Sequence, residues 1–172
     1  VDYDDFVWVT LDESHLIYKF TRNGEHLLTI GEEGVTGGSN DINHLGRPAG
    51  RVVDPETNEL FVADGYTNKR VIVFDGETGE YRRHWGAYGN IPEDVQLEFD
   101  PDAEPPRQFV GPVHGIDLSR DGLVYVSDRR ANRIQVFERD GTFVQEGFVS
   151  PETRDLGTAY GVAVSKDPGQ RW

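Results

Sequence analysis

The sequence predicts an all-β fold built from repeats, and two observations carry that prediction. The stretch LFVADGYTNKRVIVFDGETGEY at 60–81 returns as LVYVSDRRANRIQVFERDGTFV at 123–144. No stretch sustains the 3.6-residue apolar period of a helix. Each copy opens with an apolar run, 60–63 or 124–127, closed by an aspartate, Asp64 or Asp128. A polar stretch follows, then a second run at 70–74 or 133–137, then an Asp-Gly turn at 75–76 or 140–141. Short runs of β-branched and aromatic residues bounded by Gly, Asp and Asn read as strands. An Asp-Gly pair between two of them reads as a hairpin, because its tight turn needs positive φ.

A looser copy stands at the start, with runs at 6–10 and 16–20, a turn at Asn23-Gly24, and Leu11 in the place of the strand-ending aspartate. A further strand precedes each of the other two copies, at 49–54 and 114–119, and a last version at 160–165 ends the series. Gly50, Gly115 and Gly161 hold the same place in these strands, at intervals of 65 and 46 residues. The longer interval contains an insertion, 87–111.

Four short strands repeated every 40–50 residues are the signature of propeller blades. The run 6–10 is apolar on both alternating faces, which suits a blade covered by a neighbour on each side. The expected layout is a blade at 3–33 lacking its first strand, blades at 48–87 and 112–149, and a lone first strand at 159–166. Summed, this is about three blades' worth of β-propeller. Closed propellers have about four to eight blades, and three leave open edges. The reading therefore expects either missing blades elsewhere on a longer polypeptide or self-association of two halves into one ring. The absence of Met, with Val1 first, favours the longer polypeptide.

A formal charge of −14 argues against a nucleic-acid partner, since such binding rests on clustered Lys and Arg and only three of the seventeen basic residues are Lys. No apolar stretch is long enough to span a bilayer. The absence of Cys excludes disulfides and thiolate chemistry within this sequence. An acidic, Lys-poor, disulfide-free β-protein fits an extracellular or periplasmic bacterial setting. The insertion holds Pro92, Pro101, Pro105 and Pro106. A loop this long is either a solvated excursion or a functional lid over one propeller mouth.

NRIQVF at 132–137 and NKRVIVF at 68–74 resemble the motif of NHL-repeat propellers, which usually have six blades. From about residue 6 to 149 the chain is similar, within that family, to the peptidyl-hydroxyglycine alpha-amidating lyase domain and its bacterial relatives. WVT…HLIYKF (8–20) looks like the first fully shared blade, and Asn43-His44-Leu45 leads into the next. ADGYTNKRV looks like the segment with a catalytic tyrosine, which falls on Tyr66. VHGIDL looks like the segment with a zinc-binding histidine, which falls on His114. SDRRANRIQ looks like the segment with a substrate-site arginine, which falls on Arg129.

The resemblance implies a zinc-dependent lyase that splits a hydroxyglycine peptide into an amide and glyoxylate. In that family three histidines from three blades hold the zinc, and only one of their segments matches here; the second arginine has no match either. Zinc is thus the implied cofactor, and a structural calcium is kept as a second expectation. The ligand class is a small peptide-like or other small molecule. The competing reading is a non-catalytic propeller scaffold that binds a protein or glycan, since propellers host many functions.

The chemistry suits the assignment. A neutral imidazole is a good zinc ligand, a tyrosine beside a metal can act as general base, and an arginine offers a fixed fork for a carboxylate. The blander alternatives are that His114 is a turn residue, that Tyr66 caps a hairpin or packs under the insertion, and that Arg129 pairs with a nearby acid. Arg70 and Arg133 recur at matching blade positions and read as structural. Asp64 and Asp128 read as turn fasteners. His15, His26, His44 and His84 carry no role in this reading.

Overall fold

The computed structural model describes residues 1–167 and 169. Among them the fold is all-β, with eleven strands and one three-residue 3-10 turn at Ala87–Gly89. The first sheet joins β1 (Val7–Leu11), β2 (Leu16–Phe20) and β3 (His26–Ile30). The second joins β4 (Pro48–Val53), β5 (Glu59–Asp64), β6 (Arg70–Asp75) and β7 (Tyr81–Trp85). The third joins β8 (Val113–Leu118), β9 (Val124–Asp128), β10 (Arg133–Phe137) and β11 (Phe143–Phe148). Every sheet is antiparallel with neighbours in chain order, which is a blade.

The middle blade explains why its two central strands are apolar at successive positions between their charged ends. On β5, Phe61 and Ala63 join the core against the third blade, while Leu60 and Val62 join the core against the first. On β6, Val71 and Val73 face one way, and Ile72 and Phe74 the other. Each buried Val, Leu, Ile or Phe among them stabilises the fold by about 1.5–3 kcal/mol. The two-faced reading of β1 is met on one face only. Trp8 is buried against the second blade, but Val9 is 37% exposed, because no described blade covers that side.

The recurring Asp and Arg are joined by register. Asp64 lies opposite Arg70 across β5–β6, and Asp128 opposite Arg133 across β9–β10. Asp64 accepts from Arg70 Nε at 2.9 Å, from Asn68 Nδ2 at 2.8 Å and from the Gly46 N–H at 2.7 Å. Asp128 accepts from Arg133 Nε at 3.0 Å and from the N–H groups of Val110 and Gly111 at 3.2 and 2.7 Å. Arg70 donates onward to the carbonyls of Ser39 and His44, and Arg133 to that of Gln108. Each fully buried pair therefore fastens the loop before its blade's first strand to the end of the second strand.

Blades approach closely where glycine removes a side chain. A Cβ on Gly50 would sit 2.6 Å from the His114 carbonyl oxygen, and one on Gly115 would sit 2.7 Å from Gly161 Cα. The recurring glycines are thus successive contacts between inner strands. The strand expected at 159–166 does not form: 160–165 has no ladder partner. It is held beside β8 through single bonds instead, such as the Val164 N–H to Asp117 Oδ2 at 2.7 Å. A first strand without its own hairpin partner has no ladder to join.

His44, which sequence reasoning left without a role, closes the loop before β4. Its Nδ1 lies 2.8 Å from Asp41 Oδ2 and its Nε2 3.5 Å from Glu32 Oε2. The Asp41 hydrogen bond raises the His44 pKa above its ordinary value of 6.5, and the same bond lowers that of Asp41. A raised imidazole contributes stability below its ordinary value and loses it as pH rises through the folded value. The Asp41 contribution has the opposite sense and is lost in acid. The melting temperature of the protein should fall as pH rises above about 6.5, and His44→Gln should flatten that slope. Parallel slopes for the two proteins would show that the pair does not couple to folding.

Candidate functional site

The three side chains singled out in the sequence meet at one mouth of the blade stack. Tyr66 follows Asp64-Gly65 at the end of β5. His114 is the second residue of β8, and Arg129 directly follows Asp128 at the end of β9. The Asp–Arg fasteners hold the strand ends that carry Tyr66 and Arg129. His114 lies in a bulge: Val113 pairs with Asp128 and Ile116 with Val126, so β8 carries one more residue than β9 across that interval. A bulge re-aims a side chain that regular alternation would send elsewhere. Gly65 sets the distance between the blades. A Cβ there would lie 2.2 Å from both the N and O of Val113.

The result is a chain of polar contacts. Tyr66 Oη lies 3.1 Å from His114 Nε2, and His114 Nδ1 lies 2.6 Å from the Tyr160 carbonyl oxygen. A carbonyl only accepts, so Nδ1 carries the proton and Nε2 presents its lone pair towards Tyr66. Arg129 donates through Nη2 to Tyr160 Oη at 2.8 Å and through Nε to the Leu156 carbonyl at 3.0 Å. Its guanidinium stacks 4.0 Å from the centre of the Tyr160 ring, and Arg47 lies 5.2 Å from the Tyr66 ring. Arg129 makes no ion pair with a described carboxylate, so the simple acid-partner alternative is not what the structure has. Tyr66 is 39% exposed rather than packed away.

Tyr66 and Arg129 line a cleft of about 320 Å³ together with Lys69, Gln96, Val110 and Arg130. Gln96 comes from the insertion. The insertion is therefore mixed in character: much of 93–108 is exposed, while Phe109 and Val110 are buried and Asp94 accepts from the Ser39 N–H at 3.1 Å. Among the described residues, no group of three or more His, Cys, Asp or Glu converges on a common point. His114 alone offers a histidine donor here, and its backbone-fixed Nδ1 is the orientation that a metal-bound imidazole requires. Sequence reasoning missed Tyr160 and Lys69. Tyr160 meets His114 through its carbonyl, which leaves no trace in a motif. Lys69 is the extra residue of the second copy, standing between Asn68 and Arg70 where Asn132 and Arg133 are adjacent.

A model of the NHL repeat matches residues 113–137, from β8 to the end of β10. The chain is similar to peptidyl-glycine alpha-amidating monooxygenase B of Xenopus laevis, 32% identical over 149 residues, covering 85% of this chain and 15% of that protein. It is similar to peptidyl-alpha-hydroxyglycine alpha-amidating lyase 1 of Drosophila melanogaster, 29% identical over 150 residues, covering 83% of this chain and 25% of that protein. The chain thus spans a quarter or less of the length of these two relatives. Among solved structures, a streptogramin B lyase aligns with a TM-score of 0.57 at 15% identity, over 87% of this chain and 39% of that one. The repeat match, the blade architecture and these likenesses agree: the chain is a partial β-propeller of about three blades that carries an NHL repeat at 113–137 and is similar to the hydroxyglycine amidating lyases.

Proposed function

We propose that this chain supplies one side of a lyase site that cleaves a hydroxyglycine peptide into an amide and glyoxylate. The observation that carries the reading is the Tyr66–His114 contact of 3.1 Å beside a cleft lined by Arg129, with the histidine tautomer fixed by the Tyr160 carbonyl. His114 would hold a zinc ion through Nε2, and the metal, when bound, polarises an oxygen of the substrate. Tyr66 is placed to take the proton of the substrate hydroxyl at its phenolic oxygen. As that O–H pair becomes the carbonyl of glyoxylate, the C–N bond breaks and its electrons leave on the amide nitrogen, which gains a proton. Arg129, oriented by Leu156 and Tyr160, presents donors to the substrate carboxylate.

The test is metal content and turnover in parallel. The purified protein should retain zinc through dialysis and release glyoxylate from benzoyl-α-hydroxyglycine. His114→Ala should lose the retained zinc and the turnover while keeping the near-UV circular dichroism of the wild type. Zinc retained by the variant at the wild-type level would rule out His114 as a ligand. Absence of both zinc and turnover in the wild type would favour a binding scaffold.

A further inference from the structure

The cleft beside Tyr66 has a charge pattern that cleavage of a minimal hydroxyglycine does not use. Lys69, Arg129 and Arg130 all line it, the first from the second blade and the others from the third, and no acidic residue does. This occurs in a chain of net charge −14. Elsewhere Arg70, Arg82, Arg83, Arg133 and Arg139 each have a carboxylate partner within 3 Å, while Lys19 and Arg51 donate to backbone carbonyls. Lys69, Arg129 and Arg130 have none among the described residues.

Lys69 is the most telling of the three. It is buried, with 9% of its surface exposed, and burial lowers its pKa. Its ammonium has three N–H donors, and the Val110 carbonyl accepts one of them. The acids whose fields reach it are already engaged. Asp128 is held by Arg133 and two backbone N–H groups, and Asp94 by the Ser39 N–H and hydroxyl. A buried cation without a counter-charge is costly, and an arriving anion offsets that cost.

We propose that Lys69 and Arg130 form a subsite for a second anionic group, so that the preferred ligand is a peptide with an acidic side chain just before its C-terminal residue. The proposal rests on the lyase reading in one respect: Arg129 takes the terminal carboxylate, which leaves Lys69 and Arg130 to the acidic side chain.

Binding without chemistry separates the two ideas. In calorimetry, acetyl-Glu-Gly should bind the protein about tenfold tighter than acetyl-Gln-Gly, the scale of one charge-assisted contact. Arg130→Ala, at an exposed position, should bring that ratio towards one, and Lys69→Met should do the same. Higher salt should shrink the ratio in the wild type, since part of the subsite is open to solvent. Equal or undetectable binding of the two peptides, or a preference that survives Arg130→Ala, overturns the subsite. If Lys69→Met does not fold, Arg130→Ala decides alone. A clear Glu preference in a protein that never releases glyoxylate would keep the anion subsite and discard the lyase reading.

Discussion

Arg133→Ala should destabilise the protein by about 3–5 kcal/mol, the range for removing one partner of a buried ion pair. The substitution leaves the Asp128 carboxylate wholly buried with only the Val110 and Gly111 N–H groups to meet it. It also frees the Gln108 carbonyl and the Tyr88 hydroxyl, which Arg133 now binds at 3.0 Å each. Total stabilities of domains are about 5–15 kcal/mol, so the variant should unfold at a much lower urea concentration or fail to accumulate. The double variant Asp128→Asn, Arg133→Met should recover part of the loss, because it no longer buries a lone charge. A loss below about 1 kcal/mol for Arg133→Ala would mean that the pair behaves like an exposed one and that water reaches it.

The second large effect is expected from Gly65→Ala, where one methyl group has nowhere to go. Its position is 2.2 Å from the N and O of Val113 and 2.5 Å from its Cα, all backbone atoms at the start of β8. Such atoms cannot rotate aside as a flexible side chain can, so the blades must separate. Overpacking of this kind costs about 1–3 kcal/mol or more. The local effect should exceed the global one, because Gly65 precedes Tyr66 and Val113 precedes His114. The variant should keep its β circular dichroism while its retained zinc, or its turnover, drops by an order of magnitude or more, as small misplacements at reacting groups do. Wild-type zinc and turnover in a stable Gly65→Ala protein would show that Tyr66 and His114 do not depend on the closeness of these two blades.

What was legible in the sequence was whatever repeats. Asp64 and Asp128, with Arg70 and Arg133, stood out because two copies place them alike, and the ladder register turns that likeness into bonded pairs. Gly50, Gly115 and Gly161 were legible as markers, although their reason, contact between inner strands, needed three dimensions. Apolar runs on both strand faces gave the blade stack, and the middle blade obeys the rule where β1 does not, because burial depends on a neighbour and not on the run itself. The site was half legible. Tyr66, His114 and Arg129 were found through likeness to a family, and they do gather at one mouth. The bulge that aims His114 leaves no mark in VHGIDL, and Tyr160 meets His114 through a backbone carbonyl that any residue type would possess. The expected strand at 160–165 misled because its letters copy those of β8 while its ladder partner is missing.

The bond from His114 Nδ1 to the Tyr160 carbonyl spans 46 residues of chain. During synthesis from the N-terminus, β8 leaves the ribosome well before Tyr160 does. Until then its imidazole is free to exchange protons between its two nitrogens, and nothing selects the form whose Nε2 faces Tyr66. The tautomer of a histidine in one repeat is therefore set by residues that follow it. A nascent chain would hold this imidazole in either form until the segment around Tyr160 had arrived, so this detail of the third blade is completed by chain that follows it.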